Sequence, residues 1–476
     1  MIDIDREHPD FRRHKLTWRS YRDLYAGGQQ FRQRASDYLL RRQKEPLDIY
    51  SERLQRVFYE NYIGSIVDWY SATLFRRGPA LHFQGANEAG QNFLSELADD
   101  CDLRGTNLAS FFRRCFSDAL IAGRSHILID FPRVARTPTN RAEEDASGLS
   151  RAYLVRYSAE DLINWSFDER GDFEWVVLKQ SAERQPSIGS PEIVQETYWY
   201  YFDRTEYRTY RRTERISVGS GFRLDGGMTS TTTPADIHLI GQGAHSLARQ
   251  KRVPLLTMQV SEGLWLMNKA AQLQLEHFNK ANALGWAITM GLFAMPVIYS
   301  DREWNQIVGE SYYIQLGPQD RFGWTEPEGK VYQIAAENLE SLKEEMYRVC
   351  YLSQASGEMV GGHAQSAASK QLDFTITKEV LRAYGGLVKD TIKKVLTAVS
   401  EARDDGMLVS VSGLDELDIG DFGTELQEAT NLLQLGIHSP TLKRQIFQKL
   451  AFKYLSDSRQ ETKDQIAQEI DAQVIS

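Results

Sequence analysis

Apolar residues recur at three- and four-residue spacings along much of the chain, and this spacing predicts amphipathic helices. In the segment 261–284, for example, Leu264, Met267, Ala271, Leu275 and Phe278 fall on one helix face. Ser439 followed by Pro440 fits a helix start, with serine as the N-cap and proline at the first helical position. Helices are predicted over 8–75 with a break at Pro46, 91–124, 261–284, 338–353, about 369–402, and much of 424–476.

The pattern changes to short β-branched and aromatic runs between 151 and 260, and this predicts an antiparallel sheet. Within that region "GGMTSTTTPAD" is expected to be a loop and "GQGAHS" a turn. Further strands are expected at "HILIDFP" (126–132), at "MPVIYS" and "SYYIQL" in a compact insert over 285–337, and at "DDGMLVSVSG". The insert is predicted to end in a turn-rich tip, "GPQDRFGWTEPEGK". The predicted fold class is α+β.

Glycine marks two places where the helical pattern should weaken. The stretch "YLSQASGEMVGGHAQSAASK" (351–370) joins two predicted helices but holds few side chains large enough to anchor it. Low bulk and high backbone freedom therefore predict a mobile loop. Gly385 and Gly386 stand together in the middle of the long helix, where adjacent glycines favour a kink, although a tolerated weak point is the alternative.

Composition limits the class of protein. The 476 residues suggest roughly three structural units, and a hydrophobic fraction of 42% supplies a sizeable core. The N-terminal residues lack the apolar region of a signal peptide, and no run reaches the length of a membrane span. Cys101, Cys115 and Cys350 are scattered, which predicts free thiols in a reducing compartment. We therefore expect a soluble intracellular protein.

Catalytic motifs are missing from the sequence. It has no phosphate-binding P-loop, no nucleophile elbow and no H-E-x-x-H pair, and "GQGAHS" lacks the third glycine of a dinucleotide fingerprint. His363 lies in the glycine-rich stretch without neighbours that could complete a metal site. We predict no catalytic residue, no metal and no cofactor, and expect the acidic runs to be solvated surface.

Charge is unevenly distributed in this acidic chain, whose formal net charge is −9. Residues 11–56 contain twelve Lys or Arg against five Asp or Glu. This basic region is either a solvated helix face or a surface that meets an acidic neighbour or nucleic acid.

The order of these elements resembles the portal protein, or head-tail connector, of tailed bacteriophages. Several stretches of the sequence also resemble segments of portal proteins: "YLLRRQKEPLDIYSERLQRVFYENYIGSIVDWYSATLFRRGPAL", "AGRSHILIDFP" followed by "RAYLVRYSAEDLINW", and "VPLLTMQV". The resemblance covers nearly the whole chain. It implies a homo-oligomeric ring, of twelve subunits in the family, at one capsid vertex. Viral double-stranded DNA would be packaged and ejected through its channel.

The resemblance also implies domains, partners and location. The wing would be 1–260, the stem helices 261–284 and 338–353, the clip 285–337 and the tunnel loop 354–368. The long kinked helix and its return to the wing would be 369–423, and the crown 424–476. The clip would dock the terminase and then the tail adaptor protein, while the major capsid or scaffolding protein would surround the ring. Such a chain assembles in the host cytoplasm, resides in the virion and contacts no membrane.

The family's tunnel loop faces DNA, so the resemblance assigns the glycine-rich stretch to weak, non-specific DNA contact. Residues 354–368 contain one acid and no Lys or Arg, which suits a duplex that must slide. Phe322 and Trp324 are candidate clip contacts, or else the small core of the insert. The implied channel residues are Gln354, Ser356, Glu358, Gly361, Gly362, His363, Gln365, Ser366 and Lys370.

Two other functions remain open from the sequence. A nucleic-acid-processing enzyme could use 354–368 as an active-site lid, flanked by Lys343, Glu344, Glu345, Arg348 and Lys370. A monomeric interaction protein would have no ring at all. Within the portal interpretation, the basic region around Arg41 and Arg42 could meet the acidic stretch 401–421 of a neighbouring subunit.

Overall fold

A computed structural model gives the fold of the chain. It describes residues 3–85, 88–132, 151–188, 190, 192–222, 228–233, 236–291, 295–299, 319, 321–325, 329–352, 367–414, 422–434, 439–454, and a few positions between 462 and 472. The chain divides into two compact units. The first unit comprises 1–21, 67–268 and 375–476, and the second comprises 22–66 and 269–374.

The elements follow the predicted α+β order. The helices are α1 Pro9–Ala26, α2 Gly28–Gln33, α3 Leu47–Gln55, α4 Tyr62–Leu74, α5 Glu88–Asp99, α6 Leu108–Ala122, α7 Leu266–Gly291, α8 Gly329–Val349, α9 Ala367–Arg403, α10 Phe422–Gln434 and α11 Pro440–Tyr454. The strands are β1 Ala80–Gln84, β2 Arg124–Asp130, β3 Tyr153–Ser158, β4 Leu162–Phe167, β5 Phe173–Arg184, β6 Glu192–Asp203, β7 Glu206–Phe222, β8 Met228–Thr233, β9 His238–Ala244, β10 Leu255–Gln259, β11 Met295–Tyr299, β12 Arg321–Thr325 and β13 Leu408–Ser412.

The first unit is organised around a three-stranded sheet and a long helix. The strand order is β10-β2-β3, and both pairings are antiparallel. The apolar positions of α9 recur at the spacing of one helix face and are buried: Leu381, Tyr384, Val388, Ile392, Val395 and Val399. Tyr384 meets Tyr70 and Phe116 edge-on and donates its hydroxyl hydrogen to the carbonyl of Leu264. The helix predicted at about 369–402 is thus confirmed and packed into the core.

A second sheet in this unit corrects two sequence predictions. Its order is β4-β5-β6-β7-β8, and β9 pairs with the other half of the edge of β7. The expected loop "GGMTSTTTPAD" therefore contains a strand, β8, and the expected turn "GQGAHS" begins inside β9. β7 is seventeen residues long, so its edge offers unpaired backbone groups to both segments. Ladder pairing outweighs the turn preference of Gly241 and Gly243 in β9, and the threonines of β8 themselves favour a strand.

The ends of the chain's other elements match their sequence signals. Ser439 caps α11, because its hydroxyl accepts from the amide of Leu442 at 3.2 Å, as predicted. The strand β13 occurs where "DDGMLVSVSG" predicts one, and it pairs antiparallel with β1.

Cys101, Cys115 and Cys350 are buried and unbridged, and burial raises the pKa of Cys115 and of Cys350 to about 12.

The second unit packs an N-terminal segment, 22–66, with the residues of α7 that follow Asn268. Phe31 stacks on Tyr59 at 4.0 Å between ring centroids and meets Phe278 of α7 edge-on at 5.0 Å. Leu24, Ile63 and Phe278 are almost fully buried. These apolar contacts make the segment part of the unit's core.

Helix boundaries in this unit differ from those predicted. α7 continues to Gly291, seven residues past the predicted end at 284, and α8 begins at Gly329 rather than at 338. The turn-rich tip contains a strand, β12, while "SYYIQL" lies outside the described residues. The extra helical turns contain the β-branched residues Ile288, Val331 and Ile334, which by themselves favour strands. The packing of α7 against α8 keeps them helical. No helix among the described residues is both long and apolar enough to span a bilayer.

Candidate functional site

The helices α7 and α8 form an antiparallel pair whose register can be read from three contacts. Lys269 donates to the hydroxyl of Tyr351 just beyond α8, Lys280 donates to Asn338 at 2.9 Å, and the Tyr332 hydroxyl donates to the carbonyl of Ala287 at 3.2 Å. All three pairs are centred on sequence position 309 or 310. A residue of α7 is therefore level with the residue of α8 at the same sequence distance from that centre.

The same register continues into a two-stranded ribbon. β11 and β12 are antiparallel, with Met295 opposite Thr325 and Tyr299 opposite Arg321, so these pairs are also centred on position 310. Three residues, 292–294, separate α7 from β11, and three, 326–328, separate β12 from α8. Helix pair and ribbon thus form one hairpin, which we call the stem hairpin (266–299 and 321–351).

Three side-chain amides of α7 hold the N-terminal segment on this hairpin. Gln274 donates to the carbonyl of Glu60 at 2.8 Å and accepts from the amide of Ile63 at 3.2 Å. Asn279 donates to the carbonyl of Tyr38 at 3.1 Å and accepts from the amide of Leu40 at 2.8 Å. Each amide pairs with one backbone acceptor and one backbone donor, as a neighbouring strand would.

Asn282 completes this amide clamp (Gln274, Asn279 and Asn282). Its side chain donates to the carbonyl of Phe58 at 2.9 Å and accepts from the amide of the same residue at 3.1 Å. Gln274 is fully buried and Asn282 nearly so, so these bonds form where water cannot replace them. The clamp fixes the segment 38–63 at three levels of α7.

A neutral histidine lies beside the clamp. His277 is almost fully buried, meets the Tyr62 ring edge-on, and places Nε2 3.5 Å from a carboxylate oxygen of Glu60. Burial lowers the pKa of His277, and the Glu60 charge opposes that shift without reversing it. Nζ of Lys343 in α8 lies over the ring of Tyr62, 6.0 Å from its centroid.

A buried ion pair shapes the loop between α2 and α3. Nη1 of Arg53 lies 2.7 Å from both carboxylate oxygens of Glu45, and the Arg42 amide donates to the same carboxylate at 3.1 Å. Burial raises the pKa of Glu45, but the bonds from Arg53 and Arg42 outweigh it and the net shift is downward. Arg41 donates to the carbonyl of Glu45 through two nitrogens. The loop is therefore held in one conformation from within.

Above that pair the loop presents a basic patch with two exposed leucines, which we call the basic patch (Leu40, Arg41, Arg42, Lys44 and Leu47). All five side chains are exposed, with relative accessibilities of 69% for Leu40 and 67% for Leu47. The loop therefore offers both apolar and positively charged side chains to a partner.

α8 presents an exposed stripe of opposite charge, which we call the acidic stripe (Ile334, Glu337, Ser341 and Glu344). Its members follow one another at intervals of three or four residues, so they share one face of the helix. All four are exposed, and Ile334 has a relative accessibility of 56%. The neighbouring Val331 adds a second exposed aliphatic side chain at 64%.

The structure places the sequence-predicted site residues in three groups. Gln354, Ser356, Glu358, Gly361, Gly362, His363, Gln365 and Ser366 lie outside the described residues, and Lys370 is in the first turn of α9 with its side chain undescribed. Gly385 and Gly386 lie within α9, whose helical hydrogen bonding continues through both, and the predicted kink stays a prediction.

Phe322 and Trp324 belong to β12, opposite Ile298 and Pro296, rather than to a turn. Their roles as clip contacts stay predictions. Among the described residues no group of three or more His, Cys, Asp or Glu could hold a metal ion.

Sequence reasoning missed the amide clamp, since glutamine and asparagine on a helix are usually solvated. The only signal was their spacing: Gln274, Phe278 and Asn282 are four residues apart and therefore share the apolar face of α7. A polar residue on a buried face needs a hydrogen-bonding partner.

The chain is similar in structure to components of gene transfer agent (GTA) particles. No family model and no curated protein matches the chain. The neck of an empty GTA particle, computed with C6 symmetry, matches with a TM-score of 0.42 and 10% identity over 81% of this chain and 89% of that one. The virion of the native gene transfer agent particle gives 0.37 and 11% over 86% and 96%.

The neck of the native GTA particle, computed with C12 symmetry, gives a TM-score of 0.39 and 11% identity over 81% of this chain and 89% of that one. These similar structures are neck and virion structures of gene transfer agent particles. Their TM-scores lie below 0.5, so the functional argument rests on the geometry of the chain itself.

Proposed function

We propose that this protein is the portal subunit of a phage-like particle, a ring-forming channel protein that passes double-stranded DNA and performs no chemical step. The observation that supports it most is the stem hairpin, in which one register runs through a helix pair and into a ribbon. The long helix α9 follows this hairpin and returns the chain to the first unit. A stem, a clip and a return helix in this order are what the portal family implies.

The dimensions of the hairpin suit a channel wall. α7 has 26 residues, which at 1.5 Å per residue corresponds to a length of about 39 Å. Hairpins arranged side by side around an axis would enclose a tube of that length. In the proposed ring, twelve copies make this tube at one vertex of the capsid.

The proposal assigns weak, sequence-independent DNA contact to the segment 354–368. It holds Glu358 as its one charged residue, so a moving duplex meets small polar side chains and backbone rather than a row of cations. A net charge of −9 per subunit also opposes tight DNA binding, because counterion release scales with the number of cations on phosphate. Gly361 and Gly362 give the segment the freedom to follow the groove.

The remaining portal assignments are part of the same proposal. The ribbon β11–β12, whose second strand contains Phe322 and Trp324, would be the clip that docks the terminase during packaging and the tail adaptor afterwards. The residues around the first unit's sheets would form the wing, in contact with the major capsid or scaffolding protein. The C-terminal helices α10 and α11 would form the crown inside the virion.

Electron microscopy and light scattering of the purified chain test the proposal. Twelve copies of a 54.5 kDa chain give a ring of about 650 kDa with a central hole. Deleting 355–367 should leave the rings intact and abolish DNA packaging into capsids. A homogeneous monomer at every salt and protein concentration, with capsid and scaffolding proteins present, would overturn the ring and with it the proposed function.

A further inference from the structure

We propose that neighbouring subunits of the ring meet through the basic patch of one copy and the acidic stripe of the next. The inference rests on the proposed function, since it names the partner of each surface as a second copy of this chain. A ring needs a heterologous interface, in which two different patches of the same chain are complementary. The second unit carries such a pair.

The basic patch and the acidic stripe are chemically complementary. The basic patch presents Arg41, Arg42 and Lys44, since the acid of this loop, Glu45, is buried against Arg53. The sequence 337–345 contains four acids and one lysine. Each surface also carries exposed aliphatic side chains, leucines on the patch and Ile334 with Val331 beside the stripe. Both polar and apolar groups thus find partners when the two surfaces meet.

The basic patch and the acidic stripe also lie at the same level along the stem hairpin. Asn279 binds the backbone at Leu40, so the basic patch begins at the level of residue 279 on α7. By the register centred on 309–310, that level corresponds to residue 340 on α8, between Glu337 and Glu344. Each of these acids is three or four residues from the level, or about 5 to 6 Å along the helix axis.

This match of levels matters because rotation about an axis parallel to the hairpin leaves every residue at its own height. Two patches on one chain can meet between rotated copies only if their heights agree. The basic patch and the acidic stripe satisfy this condition to within the reach of an arginine side chain. The acidic stretch 401–421 fits less well, because Glu401 already pairs with Arg252, and Asp405 with Arg403.

The basic patch is also prepared for binding before any partner arrives. Arg41 is held by two bonds to the Glu45 carbonyl, and the loop is fixed by the buried pair of Glu45 with Arg53. A surface that is ordered in the free subunit loses little conformational entropy on assembly. DNA is the alternative partner of this patch, and the experiment below separates the two.

Charge-swapped variants test the interface. Variant A carries Arg41→Glu and Arg42→Glu, and variant B carries Glu337→Lys and Glu344→Lys. In rings of A alone, acid would face acid, and in rings of B alone, base would face base. We expect each variant alone to need at least about tenfold more protein for half-assembly, because like charges at an interface are costly.

An equimolar mixture of A and B provides the decisive measurement. The acidic patch of A fits the basic stripe of B, and the unchanged patch of B fits the unchanged stripe of A. Alternating rings with six copies of each should therefore form at near wild-type concentration, which mass photometry and native mass spectrometry would detect. Rescue by mixing also shows that both variants fold.

A matched control reverses Arg113 and Arg114 to glutamate, an exposed arginine pair on α6 that belongs to neither surface. It changes net charge as variant A does and should assemble normally. Rings from A alone and B alone at wild-type concentration, or no rescue in the mixture, would overturn the interface while leaving the portal proposal intact. Loss of duplex DNA binding by A with normal rings would instead assign the patch to DNA. If the wild-type chain forms no rings, it is the proposed function that fails.

Discussion

The amide clamp predicts that Gln274→Met opens the N-terminal segment locally. Methionine keeps the length and buried volume of the side chain but removes both hydrogen bonds. The Ile63 amide, which is buried, then has no acceptor, at a cost of about 1 to 3 kcal/mol. The Glu60 carbonyl keeps a bond from the Tyr62 amide, so its loss is the net value of one bond, about 1 kcal/mol.

The sum, about 2 to 4 kcal/mol, sets the expected size of the effect. If the opening is local, amide hydrogen exchange in peptides covering 58–66 should accelerate about 30- to 1,000-fold. Hydrogen exchange with mass spectrometry measures this directly. It reports on this segment alone, whereas global unfolding of a chain with two compact units combines the transitions of both.

Gln272→Met is the matched control, since Gln272 lies two residues earlier on the exposed face of the same helix. Its exchange in 58–66 should stay within about threefold of the wild type, because surface substitutions cost little. Equal exchange for the two variants would refute the reasoning that buried amide bonds to α7 hold this segment.

Three further predictions concern the first unit. Gly386→Ala should stabilise the first unit by about 0.5 to 1 kcal/mol and raise its unfolding temperature, because a Cβ at this position meets no atom within 4 Å. A lowered unfolding temperature would show that the backbone at this position needs glycine. Burial, and then Arg124, lowers the pKa of His126 to about 3, so between pH 6.5 and 3 the unfolded state binds a proton that the folded state does not. The stability of the folded state therefore falls as the pH falls. His126→Asn should reduce the slope of stability against pH by up to about 1.4 kcal/mol per pH unit, as measured in denaturant titrations. An unchanged slope would contradict the lowered pKa of His126. Ser439→Ala should destabilise α11 by about 1 kcal/mol, which hydrogen exchange over 440–446 would measure, because it removes the acceptor of the Leu442 amide. Ser439→Asp keeps an acceptor and should exchange like the wild type. Equal protection in the two variants would show that the Ser439 cap does not stabilise the helix.

Local pattern predicts most elements of this fold because each is specified by nearby residues. The buried positions of α9 recur at helical spacing in the sequence itself, and Ser439 with Pro440 marks the start of α11. The sequence-based predictions are wrong where pairing with a distant part of the chain determines the secondary structure. The threonines of "GGMTSTTTPAD" favour a strand, but the partner that pairs with it, the edge of β7, is not visible in those eleven residues.

The assembly surfaces were predictable only in part. The excess of cations over 11–56 is visible in the sequence, yet Arg53 is buried against Glu45 while Arg41 and Arg42 are exposed. Counting charges cannot separate these cases, because burial follows from the packing of α3 and not from its composition. The partner surface on α8 is equally hidden, since its level relative to Leu40 depends on the register of the stem hairpin.

The two kinds of contact in the second unit respond differently to salt. The amide clamp uses neutral donors and acceptors, and Gln274 and Asn282 are buried, so ions in the solvent screen it little. The basic patch and the acidic stripe are exposed charges, and their attraction weakens once the Debye length falls below about 10 Å. Raising the salt should therefore separate subunits while each keeps its N-terminal segment on α7.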